Sequence, residues 1–144
     1  AIGIKTDVKT VESDSFYQTV IQPKGYQVLL TGTLLGIDSD PYPFWHSSQT
    51  KESGLNFSLY ANRNADTLLE TARTMTNADD RAKAYRDFQD LIAADIPAVF
   101  LYQSTYAYAI ASKIRNVEIN RVVSPADRFA GIESWYTKTK QALK

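Results

Sequence analysis

The sequence predicts an α/β protein: a βαβ-containing mixed sheet with flanking helices. Three observations carry that prediction. Strand-like alternation at residues 2–11 and an apolar run at Tyr26–Thr33 bracket a short helical stretch, the order of a βαβ unit. Two capped amphipathic helices follow between residues 62 and 95. Two more strand-like segments lie between Ala98 and Ala111.

Taken in order, Ile2, Ile4, Val8 and Val11 alternate with polar residues, giving a strand one apolar face. Ser13 or Asp14 is placed to cap a helix reaching about Gln22, with Phe16, Val20 and Ile21 on its inner face. Pro23-Lys24-Gly25 ends it. Within Tyr26–Thr33, Val28-Leu29-Leu30 is apolar on both faces, as in a parallel strand covered on both sides. Residues 36–49 hold two prolines and read as irregular backbone, since neither a helix interior nor a central strand accepts that spacing. Leu55–Tyr60 is a short extended piece after Ser53-Gly54.

Asn62 or Asn64 caps the next helix, with Ala65, Leu68, Leu69 and Ala72 in an i, i+3, i+4, i+7 stripe. Asn77 caps a longer one. Asp79 and Asp80 suit the positive end of its dipole, and Tyr85, Phe88, Leu91 and Ile92 form its buried face. Pro97 pushes Ile96 out of helical geometry and closes it. Ala98–Tyr102 is the most strand-like run. After a turn near Ser104, Thr105–Ala111 sets Tyr106, Tyr108 and Ile110 on one face and Ala107, Ala109 and Ala111 on the other. Val122-Val123 and an apolar piece from Phe129 to Trp135 follow, and the tail after Tyr136 is polar.

Composition narrows the function. The chain of 144 residues, 44% hydrophobic and 22% charged, fits one globular core rather than a disordered or fibrous protein. Its 16 basic and 16 acidic side chains cancel, which disfavours nucleic acid as a partner. No apolar run approaches the roughly 20 residues of a membrane span. Cysteine is lacking, which removes disulfides, thiolate metal sites and cysteine nucleophiles and suits an oxidising compartment. The chain opens in strand-like alternation without Met, and reads as a piece of a longer polypeptide.

The richest stretch is Asp38–Gln49, with two carboxylates, two prolines, three aromatics and the lone histidine, His46. Irregular backbone carrying large aromatics and hydrogen-bonding groups is how a pocket wall is built. Asp38 and Asp40 resemble paired acids, but residues two apart in a loop are more often turn formers. His46 has Ser47, Ser48 and Asp40 nearby, yet triad members converge from separate elements. It also has no second ligand at metal spacing, so a backbone-bonded histidine is the simpler reading. Gly32 and Gly36 lack the lysine of a phosphate loop, and no cofactor is expected. Trp45 is either a stacking platform for a ligand or a core plug. The tyrosines at 102, 106 and 108 read first as sheet packing.

These landmarks resemble a family. Gly32-Thr33, Gly36 and Asp40-Pro41-Tyr42-Pro43-Phe44-Trp45, then Gly54-Leu55-Asn56-Phe57-Ser58 and Tyr60, look like the C-terminal part of a family 5 extracellular solute-binding protein. So do Asp80-Arg81, Tyr85, Phe88-Gln89, Asp95-Ile96-Pro97-Ala98-Val99-Phe100-Leu101-Tyr102, and Arg128-Phe129 with Trp135-Tyr136. These are the oligopeptide-, dipeptide- and nickel-binding components of bacterial ABC importers. The resemblance implies part of the C-terminal lobe of a type II periplasmic-binding-protein-like fold at residues 1–127. Residues 128–144 would return to the N-terminal lobe, and in this chain alone would be displaced, disordered or paired with a neighbouring molecule. It implies a small peptide or similar solute, permease partners, and a parent outside the cytoplasmic membrane, periplasmic or tethered as a lipoprotein. The ligand wall would include Thr33, Leu34, Gly36, Asp38, Asp40, Tyr42, Trp45 and His46. Peptide-binding members carry Gly-Trp and then an Asp for the peptide's amino group. Here Thr33 follows Gly32, the matching Asp position falls at Ile37, and Asp38 stands one step away.

Two other classes make distinct expectations. A small hydrolase would use His46 with Ser47 or Asp40, converging within hydrogen-bond reach. A protein-interaction module would present the Tyr106/Tyr108 strand as an open edge or aromatic patch.

Overall fold

The computed structural model describes residues 3–36, 38, 40–51, 53–120 and 122–138. They fall into two units, one built from residues 1–33 and 40–99, the other from 34–39 and 100–144.

A helical hairpin organises the first unit. Helix α3 (Arg63–Thr74) starts where the Asn62 side chain accepts the N–H groups of Asn64 and Ala65, at 2.9 and 3.3 Å. Helix α4 (Ala78–Asp95) starts the same way, the Asn77 oxygen accepting from Asp79 and Asp80 at 2.8 and 3.1 Å. Each cap satisfies amide donors that a helix leaves without partners. Ala65 and Leu69 of α3 pack with Phe88 and Ile92 of α4, ringed by Tyr42, Trp45, Tyr60, Leu68, Tyr85 and Leu91. Burying each large side chain contributes about 1.5–3 kcal/mol, so this cluster is the main stabilising contact of the unit. Ile96 ends α4 in the left-handed region, at φ 49°, while its N–H still donates to Ile92 O at 3.0 Å. A β-branched residue adopts that geometry at a cost, and Pro97 behind it bars the helical alternative.

Near the start, α1 (Ser13–Phe16) widens into a π-helical turn, Tyr17–Ile21. Ile21 is buried and Phe16 and Val20 are half-buried, as the spacing predicted. The capping position is Glu12, so Ser13 and Asp14 lie inside the helix rather than before it.

The strands are where expectation and structure part. Residues 3–11, Tyr26–Thr33, Leu55–Tyr60, Ala98–Tyr102 and Thr105–Ala111 form none, and the expected turn near Ser104 is not made; Ile2 lies outside the described residues. Val28 and Leu30 are 89% and 78% exposed where a doubly covered strand was expected. A strand persists only where a neighbour takes its backbone groups, and no described segment does so here. The βαβ unit is therefore not formed, although helices and a small sheet are both present. Tyr42–Trp45 corrects the irregular reading of the Pro-rich loop: it is one helical turn, α2, with Pro41 at the cap and Pro43 in the first turn. Proline is accepted there because those N–H groups have no helical acceptor.

In the second unit, β1 (Ile114–Arg115) pairs antiparallel with β2 (Tyr136–Thr137), Ile114 opposite Thr137 and Arg115 opposite Tyr136. Part of the segment after Arg128 thus pairs with its own chain, where displacement was expected. A 3-10 turn at Pro125–Phe129 is held by a capping box in which Asp127 Oδ2 accepts the N–H groups of Ser124 and Val123. Those bonds hold the Asp127 carboxyl below its ordinary pKa.

A loop fastened to one polar stripe of a helix

The candidate site is the stretch from Asp40 to Thr50, laid along α3. Three side chains of α3 spaced i, i+4 and i+7 hold it: Asp66, Glu70 and Arg73. Asp66 takes Ser47 at both ends, its Oδ1 accepting the backbone N–H at 2.8 Å and its Oδ2 the hydroxyl at 2.5 Å. Glu70 Oε1 lies 3.2 Å from His46 Nε2. Arg73 Nε is 3.2 Å from Asp40 Oδ2, and its guanidinium sits 4.3 Å above the Tyr42 ring. Tyr42 is stacked on His46 on its own account, with centroids 4.2 Å apart at 20°. Arginine suits this place because its flat, charged fork serves a carboxylate and a ring face together.

His46 is 7% exposed. Its Nδ1 accepts the Ser48 N–H at 3.1 Å, capping the 3-10 turn Ser47–Thr50, and lies 2.8 Å from the Ser48 hydroxyl. That leaves the ring proton on Nε2, donated to Glu70. The hydrolase expectation fails in its named partners: Ser47 is held by Asp66, and Asp40 by Arg73 and the Tyr42 N–H at 3.0 Å. The hydroxyl that does reach the imidazole belongs to Ser48, which is exposed and also accepts from Gln49 Nε2 at 3.1 Å. This is a histidine bonded to backbone in a turn.

Two further groups pin the loop from below. Asn56 is fully buried; its Nδ2 donates to the carbonyls of Trp45, His46 and Tyr60, and its Oδ1 accepts from Tyr60 N–H and the Ser58 hydroxyl. Lys24 Nζ donates to three successive carbonyls, Gln49, Thr50 and Lys51, at 3.3, 2.9 and 2.8 Å, and partial burial lowers its pKa. Gly54 fits because a Cβ there would come within 2.0 Å of Gln49 O. Tyr26 OH donates to Phe57 O at 2.7 Å, and burial raises its pKa.

Of the positions read as ligand-binding, Asp40, Tyr42, Trp45 and His46 come together in this unit. Trp45 is half-buried and packs edge-on to Tyr60 and Phe88, at 6.4 and 6.3 Å, against the helical core. Thr33 is exposed in the same unit, whereas Leu34, Gly36 and Asp38 belong to the other, where all three are exposed. Ile37 lies outside the described residues. Sequence reasoning missed Asp66, Glu70, Arg73, Lys24 and Asn56. The polar spacing on α3 was a readable signal, but the loop it meets is not a local property. Among the described residues no group of three histidine or carboxylate side chains is arranged for a metal, and no helix is long and apolar enough to cross a membrane.

The chain is 28% identical to the oligopeptide-binding protein AppA of Bacillus subtilis over 94% of its own length and 24% of that protein. It is 31% identical to the probable D,D-dipeptide-binding periplasmic protein DdpA of Escherichia coli, over 57% of this chain and 16% of the relative. It is 27% identical to the peptide transport periplasmic protein SapA of Haemophilus influenzae, over 81% and 21%. Three proteins named for peptide binding or peptide transport thus resemble this chain, as its sequence landmarks led one to expect. The chain spans about a quarter or less of the length of these curated relatives. No protein-family profile matches it, and no solved structure matches it significantly.

Proposed function

We propose that this chain is part of the solute-binding component of an ABC importer, acting outside the cytoplasmic membrane on peptides or a related small solute. The observation that supports it is the likeness to a protein named as oligopeptide-binding along 94% of the chain. In this reading residues 1–127 are part of the C-terminal lobe of a type II binding-protein fold, and residues 128–144 lead back toward the other lobe. The fastened loop forms a wall of the binding face. Asp40 and His46 hold its shape, and Tyr42 presents its edge to solute. Contacts at Thr33, Leu34, Gly36 and Asp38 are proposed from the resemblance alone. In this reading the role is to hold a guest and release it unchanged to a permease.

The test uses the longer polypeptide that contains this chain. Calorimetric titration with peptides of two to five residues is expected to show saturable binding near micromolar Kd, about −8 kcal/mol. Mass spectra taken afterwards are expected to show the peptides intact. Cleaved peptide, or no heat with any peptide, overturns the proposal.

A further inference from the structure

Tyr42 is half-buried in the fastened loop, between two flat side chains. The His46 imidazole is stacked on its ring with centroids 4.2 Å apart at 20°, and the Arg73 guanidinium carbon stands 4.3 Å from the ring centre. Two flat groups centred that close would overlap on one face, so each takes a face of its own. Both covers are themselves held: His46 Nε2 lies 3.2 Å from Glu70, and Arg73 Nε lies 3.2 Å from Asp40. The ring is left with no face on which a guest could stack.

Its hydroxyl is in a different position. It lies 3.4 Å from Ser48 Oγ on the exposed side, longer than the 2.5–3.0 Å or so of a good O–H···O bond. Ser48 Oγ has closer neighbours, His46 Nδ1 at 2.8 Å and Gln49 Nε2 at 3.1 Å. The Tyr42 proton is therefore a weakly used donor, within reach of water, on a ring that cannot swing away.

We propose, on the reading of this loop as a wall of the binding face, that Tyr42 meets solute through its hydroxyl and not its ring. It donates to an acceptor oxygen of a bound peptide, and His46 and Arg73 are the positioning residues that direct it. A donor fixed before binding loses little conformational entropy when the acceptor arrives. An oxygen common to all peptides carries no information about their side chains, so this contact adds affinity without selecting a sequence.

The test uses the longer polypeptide and calorimetry with tri-alanine. Tyr42→Phe keeps the ring and its stack and removes only the hydroxyl. It is expected to weaken binding roughly threefold to tenfold, the effect of one hydrogen bond. The same factor is expected with a peptide carrying a central tryptophan. Arg73→Lys keeps a charge facing Asp40 but not the flat cover. It is expected to weaken binding in the unmutated background and to add little to Tyr42→Phe, whereas a residue that only stabilises the fold would weaken both alike. Tri-alanine amide separates two acceptors: a Tyr42→Phe effect that persists assigns a backbone carbonyl, and one that disappears assigns the terminal carboxylate. Peptide binding that Tyr42→Phe leaves unchanged overturns the contact and leaves the proposed function standing. Equal losses from Arg73→Lys in both backgrounds overturn the positioning role. Lack of binding by the unmutated polypeptide overturns the proposed function and the contact together.

Discussion

Tyr60 shows how one side chain joins the loop to the helical hairpin. Its N–H is accepted by Asn56, and its hydroxyl donates to Asp95 Oδ2 at 2.7 Å, where Asn62 Nδ2 also donates at 2.8 Å. Burial, then the hydrogen bond and charge of Asp95, push the Tyr60 pKa up from 10.0 to about 12. The same two donors hold the Asp95 carboxyl below its ordinary value of 3.8. The signs follow by linkage. A tyrosine whose folded pKa is raised contributes stability that is full below 10.0 and lost as pH rises toward 12. A carboxyl whose folded pKa is lowered contributes stability present above 3.8 and lost as pH falls below it. Between those limits neither group alters the melting temperature. The expected result is a fall in Tm between about pH 10 and 12 that Tyr60→Phe largely removes. Absorbance titration of the phenolate checks the assignment, since one tyrosine should ionise about two units late. A Tyr60→Phe protein with an unaltered alkaline slope would contradict it.

At the scale of the element, α3 works with two faces. Ala65, Leu69 and Ala72 are wholly buried against the core, while Asp66, Glu70 and Arg73 grip the loop. The grips differ in strength. Asp66 makes two bonds to half-buried Ser47, so Asp66→Ala strands a donor and is expected to cost about 1–3 kcal/mol. Glu70 is exposed, and Glu70→Ala is expected to cost about 1 kcal/mol or less. Chemical denaturation of the two variants gives the order, and a larger loss from Glu70 would show that His46 carries the loop. This division also explains what was legible in the sequence. Both caps, Asn62 and Asn77, and both apolar stripes were readable because capping and helical spacing are local. The stop at Ile96-Pro97 was readable for the same reason. The strands at Tyr26–Thr33 and Ala98–Tyr102 were not, because alternation states a preference for a sheet without supplying the neighbour. Among the site residues, the density of the Asp38–Gln49 loop marked the place. Its fasteners on α3 come from 19 or more residues away, as with Asp66 on Ser47, beyond the reach of a local pattern.

For the whole molecule, the proposed function asks what part of a two-lobed clamp would do alone. A two-lobed binding protein closes because its ligand touches both lobes only in the closed state, so the ligand shifts a pre-existing equilibrium. The coupling equals the difference in contacts between the two states, and one lobe offers no such difference. If the lobes share the interaction evenly, a micromolar ligand at about −8 kcal/mol retains about −4 on one of them, near millimolar Kd. The chain as it stands is therefore expected to give no measurable heat with short peptides at about 100 µM, while the longer polypeptide does. The fastened loop offsets part of that loss: His46 is buried and Asp40 is held by Arg73 before any solute arrives, so binding spends little on ordering the loop. What remains is surface contact against a half-open wall, with water competing for every polar group. Micromolar binding by this chain alone would mean that one lobe carries nearly all of the recognition, and that closure serves delivery to the permease rather than affinity.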